Sequence, residues 1–210
     1  MALRRSKVAA DRRGTASSLI ILGLANPGSE YEGSRHNVGG DAVRLVATRR
    51  GASLSLEKRQ RAMMATVTTP HGPVTLAVPT TFMNESGAAL PPLMQRTSMT
   101  DPMRVVVAHD ELDLPPGVAR FKLGGGHGGH NGLRDTITHI GANFWRLRLG
   151  VGHPGDKSEV IDFVLQCASA KEEELILTAL QAAMEQVPVF LEKGAEKAMH
   201  LLHTQTGKSV

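Results

Sequence analysis

The sequence predicts one α/β domain whose mixed sheet is covered on both faces. Two apolar runs, "SLIILGLA" at 18–25 and the start of "MRVVVAHDELD" at 103–113, are continuous rather than alternating, so each reads as a strand buried on both sides. Segments with helical spacing alternate with strand-like ones, with no linker composition and no internal repeat between them. A third observation makes the sheet mixed: "AMMATVTT" and "PVTLAVP" flank the turn "PHG" and read as an antiparallel hairpin.

The elements follow in order. After the first strand, "NPG" turns the chain. Residues 37–50 carry Val38, Val43, Leu45 and Val46 near helical spacing and stop at Gly51, a residue that favours a helix end. The hairpin comes next. "NESGAALPPLMQR" opens like a capped helix, with Pro91 and Pro92 expected to kink it or end it early. The second buried strand follows, then a shorter strand, "GVARFKLG". "HNGLRDTITHI" reads as a helix and "WRLRLGVG" as a strand with alternating apolar residues. Residues 157–166 and 171–192 are helical, the latter amphipathic, and 193–203 form a further short helix.

Composition bounds what such a domain can be. A chain of 210 residues is long enough to bury a substantial core, and 41% hydrophobic with 3% aromatic residues means a core of Leu, Val, Ile, Ala and Met. Cys167 is the single cysteine, which excludes an internal disulfide and fits a reducing cytoplasm. No apolar run approaches the roughly 18 residues of a membrane span, and no signal-peptide core is evident, so a cytoplasmic protein without membrane association is expected.

The net charge of +4 is placed unevenly. Residues 1–18 hold five basic side chains and one acid, and are expected to form a disordered basic tail; an RNA-touching arm and an organellar targeting segment are the other readings. The remaining chain is neutral overall, yet residues 35–61 hold seven basic and two acidic side chains, 120–148 hold five and one, and 156–196 hold three and nine. One side of the protein is therefore expected to be basic and able to receive phosphates.

Four polar, turn-rich segments each follow a strand: "NPGSEY" through "RHN", "PTTFMNESG", "HDELDLPPG" and "LGGGHGGHNG". If their strands are neighbours, His36, Asp110, His130 and the asparagines Asn26, Asn84 and Asn131 gather at one sheet edge, where open α/β sheets bind ligands. A neutral imidazole can take a proton from water, a carboxylate can hold its tautomer, and amides can stabilise an oxyanion, so the set suits acyl hydrolysis. Other chemistries have features against them. G-x-S-x-G is absent, which argues against a serine nucleophile of that type. Cys167 falls in a predicted helix near acidic residues, without basic activation. A metal site stays open on His127, His130 and the run His109, Asp110, Glu111, but HExxH is absent. Two stretches fit G-x-G-x-x-G, at 124–129 and 150–155; neither follows the first strand of a dinucleotide-binding unit.

"GLANPGSEYEGSRHNVG", "PTTFMNESG", "HDELDLPPGVARFKLGGGHGGHNGLRD" and "RLRLGVGHPG", in this order, resemble the bacterial-type peptidyl-tRNA hydrolase family over about residues 19–203. The resemblance implies a monomeric esterase that needs no metal or cofactor and cleaves the ester between a peptide and the 3′ end of tRNA, recycling tRNA from aborted translation. It also implies a single three-layer α/β/α domain over residues 19–210, with a mixed, mostly parallel twisted sheet. By residue, it implies that His36 is the catalytic base, Asp110 its supporting carboxylate, and Asn26 an active-site amide that orients the histidine or stabilises the oxyanion. Asn84 and Asn131 would bind the peptide part and position water. Tyr31, Phe82 and Met83 would line the peptide channel, and His130 would gate it. Lys122 and Arg148 would clamp the 5′ phosphate of the tRNA. A non-catalytic RNA-binding relative on the same fold is the alternative.

Each residue also has a purely structural reading. His36 would cap the next helix, Asn26 would only turn the chain before Pro27, Phe82 and Met83 would be core, His130 would be a satisfied loop histidine, and Lys122 and Arg148 would be surface charges. His109 is expected to be structural, and Glu111 and Asp113 to be turn or solvent residues. The chain departs from the family pattern in "VGGDAVRLVA" and "RQRAMMA", which lack the usual aromatics, and in His200, where relatives often have asparagine.

Overall fold

A computed structural model describes residues 18–207, so all of the basic N-terminal segment but Ser18 lies outside the described residues. Seven strands form one sheet: β1 (Leu19–Gly23), β2 (Ser55–Glu57), β3 (Ala62–Thr69), β4 (Gly72–Pro79), β5 (Val105–Glu111), β6 (Ala119–Leu123) and β7 (Trp145–Gly150). The strand order is β2-β3-β4-β1-β5-β7-β6. The central pairings β4–β1, β1–β5 and β5–β7 are parallel, whereas β2–β3, β3–β4 and β6–β7 at the flanks are antiparallel. The sheet is thus mixed, with its parallel part confined to the four central strands.

The two buried runs became the two central strands because their residues alternate between two cores. Leu19 and Ile21 of β1, with Val106 and Ala108 of β5, join the core under α1 (Val38–Arg49), α5 (Ala170–Lys193) and α6 (Ala195–Thr206). Ile20 and Leu22, with Val105 and Val107, join the opposite core under α2 (Leu90–Arg96) and α3 (Asn131–Ile140). Helices therefore cover both faces, in three layers. Each fully buried Leu or Ile in these strands contributes about 1.5–3 kcal/mol relative to exposure.

Pro91 and Pro92 do not end the helix they were expected to interrupt. They occupy its first positions, where the missing N–H is no loss, and the preceding residues Met83–Ala89 wind as a 3-10 turn. Gly87 lets that turn lie on α3: a Cβ there would come within 2.6 Å of the Asp135 and Thr136 backbone, and the Gly87 N–H donates to Asp135 at 2.7 Å. Cys167 is not helical either. It follows α4 (Val160–Leu165), is exposed, and bridges to Ser34 in the turn before His36. The edge strand β2 had no sequence signal, since its residues are exposed or half-buried and carry no buried alternation.

The glycines in "VGGDAV" let α1 approach the sheet closely. A Cβ on Gly39 would meet the Ala108 carbonyl oxygen at 2.2 Å, so α1 starts in contact with the ends of β1 and β5. Among the described helices, α5 alone has the length and apolar content of a bilayer-crossing segment, and its apolar side, including Ile176, Leu180, Val187 and Phe190, is packed in the core.

Candidate active site

The carboxyl ends of β1, β4 and β5 and the chain leaving β6 converge on one cleft of about 900 Å³. Every candidate residue lines it: Asn26, Tyr31, His36, Phe82, Met83, Asn84, Asp110, Lys122, His130, Asn131 and Arg148. The parallel register of β4, β1 and β5 achieves this by ending all three strands on the same side.

His36 sits in the 3-10 turn Arg35–Asn37 between β1 and α1, and its Nδ1 lies 2.9 Å from Asp110 Oδ1. A carboxylate only accepts, so Nδ1 carries the proton and Nε2 keeps its lone pair. His36 makes no helix cap: Asn37 holds the N-cap position of α1. His130 also approaches Asp110 Oδ1, with Nε2 at 2.9 Å. Its Nδ1 accepts from the N–H groups of Gly132 and Leu133 at 3.1 and 3.4 Å, which caps α3 and places the His130 proton on Nε2. Asp110 thus takes two imidazole N–H bonds on one oxygen while 5% exposed.

These contacts decide the charges. Burial acts to raise the Asp110 pKa, but His130 and His36, by charge and by hydrogen bond, hold it far below the carboxylate range. For His36, burial acts to lower the pKa, and the charge and hydrogen bond of Asp110 outweigh it, leaving a net upward shift. His109 is pushed down to about 3 by burial, with His130 adding to the effect, so it stays neutral. Its Nδ1 bonds the Asp110 carbonyl oxygen at 2.7 Å, and it packs edge-on against His130, which fits the structural role expected of it.

The asparagines differ in their bonds. Asn26 Oδ1 accepts from the Met83 N–H at 2.8 Å, and no described residue accepts from its Nδ2. Asn26 makes no hydrogen bond to His36 among the described residues. Asn37 holds the Asn26 backbone from both sides, accepting its N–H at 2.8 Å and donating to its carbonyl at 3.0 Å. Asn37 escaped the sequence reading, though its place in "RHN" beside His36 was the available signal. Asn84 is exposed on the 3-10 turn, and Asn131 is exposed at the first position of α3. Phe82 is 54% exposed at the cleft rim, whereas Met83 is 4% exposed and belongs to the core beneath α3.

Lys122 and Arg146 are cross-strand neighbours on β6 and β7, as are Arg120 and Arg148. Three of these cations, Lys122, Arg146 and Arg148, line one end of the cleft, whereas Arg120 turns to Thr206 of α6. Lys122 is exposed; Arg148 Nε is held by Glu111 Oε2 at 2.7 Å. Glu111, expected to be a turn or solvent residue, is therefore the partner of a clamp candidate.

The donor atoms of His36, Asp110 and His130 lie within 4.8 Å of one another, a spacing a metal ion accepts. The ring nitrogens concerned are those that donate to Asp110, so a metal would have to displace both protons and break both bonds.

Layered fold and site together define a class: an α/β enzyme with a histidine–carboxylate pair at the carboxyl edge of its sheet, beside a cationic rim. The profile of one family, described as "Peptidyl-tRNA hydrolase", matches residues 20–209. Peptidyl-tRNA hydrolase of Shewanella halifaxensis (strain HAW-EB4) is 48% identical over 187 residues, 88% of this chain and 96% of that protein. The Salmonella heidelberg (strain SL476) protein of that name is 49% identical over the same shares. The crystal structure of peptidyl-tRNA hydrolase from Acinetobacter baumannii superposes with a TM-score of 0.84 at 40% identity, covering 90% of this chain and 95% of that one. The chain belongs to the peptidyl-tRNA hydrolase family. It is an ester hydrolase, and its substrate is peptidyl-tRNA.

Proposed function

We propose that His36 acts as general base on water in the hydrolysis of peptidyl-tRNA, with Asp110 as its supporting carboxylate. The observation that carries this is the His36 Nδ1 to Asp110 Oδ1 bond of 2.9 Å in a residue that also lines the cleft, because it leaves an unprotonated Nε2 for the water. Nε2 takes a proton from water, and the water oxygen attacks the ester carbonyl carbon. The tetrahedral intermediate collapses by breaking the bond to the ribose oxygen, which receives the proton from His36.

Asn26 stabilises the oxyanion through Nδ2, since its Oδ1 is already engaged by Met83. Asn84 and Asn131 bind the peptide part and position water. Tyr31, Phe82 and Met83 line its channel, and His130 borders it as the gating residue. Lys122 and Arg148 clamp the 5′ phosphate of the acceptor stem, a role supported by the cationic end of the cleft. The enzyme acts as a monomer, as the family resemblance implies. No metal or cofactor takes part. The lone cysteine supports a cytoplasmic setting, and the role in the cell is tRNA recycling from aborted translation.

The test is hydrolysis of an N-acetyl-aminoacyl-tRNA by the wild type and by His36→Ala, with folding followed by circular dichroism. Loss of most of the rate in a folded variant supports the base. Equal rates would move that role elsewhere, and tRNA binding without cleavage by either protein would favour a non-catalytic RNA-binding relative.

A further inference from the structure

Arg146 is a cation of the cleft end that is turned inward. It is 3% exposed, and its guanidinium lies 4.9 Å from the centre of the Phe144 ring. One terminal nitrogen donates to the Gly126 carbonyl at 2.9 Å and the other to the Gly125 carbonyl. Its Nε has no acceptor, and no carboxylate forms an ion pair with it among the described residues. A buried guanidinium without a direct ion pair is costly, so packing alone is a poor reason for it.

We propose that Arg146 is a positioning residue: by gripping the carbonyls of Gly125 and Gly126 it sets the path of the glycine loop 124–129, and thereby delivers His130 to Asp110 and Asn131 to the cleft. The inference rests on the reading of these residues given above.

The bonds run continuously from the grip to the site. The Gly124 N–H donates to the Phe144 carbonyl at 3.0 Å, which starts the loop at the end of the β6–β7 ladder. Arg146 then holds the next two residues. The turn that follows closes through the His130 N–H to the His127 carbonyl at 2.9 Å. His130 itself caps α3 through Nδ1 and donates to Asp110 through Nε2, and Asn131 is the next residue. Glycines have more conformers to lose than other residues, so a loop this rich in them needs an external anchor to hold one shape. The grip requires arginine in particular: a planar fork reaches two carbonyls at once, and an ammonium at the end of a flexible stem does not.

The decisive variant is Arg146→Lys, which keeps the charge beside Lys122 and Arg148 and loses the fork. Four quantities are measured: kcat and KM on N-acetyl-aminoacyl-tRNA, Kd for deacylated tRNA, melting temperature, and the downfield imidazole N–H proton resonances. The wild type should show two such resonances, from His36 Nδ1–H and His130 Nε2–H on Asp110. In Arg146→Lys the His130 resonance should vanish and the His36 resonance remain. At the same time kcat should fall by about 10²-fold, the scale of a misplacement of roughly 1 Å, with Kd unchanged. Persistence of both resonances, or an unchanged kcat, would overturn the proposal. So would a parallel loss of kcat, tRNA binding and melting temperature, which marks general structural damage. If Arg146→Lys does not fold, Gly125→Ala attacks the same grip from the loop: its Cβ would stand 2.8 Å from an Arg146 nitrogen, at a backbone φ of +103°. A wild type that shows both resonances but cleaves nothing would instead refute the catalytic reading, and the resonance pattern of the variant would still decide the role of Arg146.

Discussion

Replacing Asp110 by Asn tests the centre of the site with almost no change of shape. Asp110 Oδ1 accepts from His36 Nδ1 and from His130 Nε2, each at 2.9 Å. Asn retains one carbonyl oxygen and removes the charge. A hydrogen bond to a charged group is worth about 1.5–3 kcal/mol, so losing charge assistance to the developing His36 imidazolium lowers the rate by about 10- to 150-fold. If the Asn amide turns its NH2 towards His36, the imidazole must switch tautomer, and the loss approaches the ~10⁴ known for a misoriented triad histidine. The pH profile moves too. In the wild type Asp110 lifts the His36 pKa against burial, so the acidic limb of kcat/KM should lie above the ordinary histidine value of 6.5. With the charge gone, burial remains and pushes the limb below that value. The assay is single-turnover cleavage of N-acetyl-aminoacyl-tRNA across the pH range, with circular dichroism on each sample. A folded Asp110→Asn variant with wild-type kcat/KM and an unmoved acidic limb would refute the pairing of Asp110 with the catalytic base.

Lys122→Ala and Arg148→Ala should each weaken tRNA binding and flatten its salt dependence by about one charge, with the smaller effect at Arg148 because Glu111 already neutralises part of it; unchanged slopes would remove both from the clamp. Excess EDTA should leave the cleavage rate unaltered, since both ring nitrogens facing Asp110 carry protons; abolition by EDTA and recovery on adding a divalent ion would establish a metal at His36, Asp110 and His130. Asn37→Ala should release the Asn26 backbone by removing two hydrogen bonds worth about 1 kcal/mol each, lowering kcat at little cost in tRNA affinity. A wild-type kcat in that variant would show that Asn26 holds its place without help.

The two buried strands, the hairpin, the glycine loop and the polar segments that line the cleft were legible in the amino-acid sequence, whereas Asn37 and the role of Glu111 were not. The legible signals are local: continuous apolar runs, alternation, turn formers, and polar residues set directly after strands. Local signals do not say which atom meets which. That Asp110 serves two imidazoles through one oxygen and that Glu111 occupies Arg148 depend on strand order, because β1, β5 and β7 come from distant parts of the chain and are neighbours only in the sheet. The role of Pro91 and Pro92 was misread for a similar reason. Proline marks a helix boundary, but the preceding 3-10 turn, seated on α3 at Gly87, decides that it marks the start. Met83 and Phe82, adjacent in the chain, part into core and rim because the turn that carries them faces α3 on one side and the cleft on the other. The sequence by itself determined most of the elements, β2 excepted, and the chemistry available to the site. Only the tertiary structure assigned each polar atom its partner, since a hydrogen bond depends on distances of a few ångströms that sequence separation does not encode.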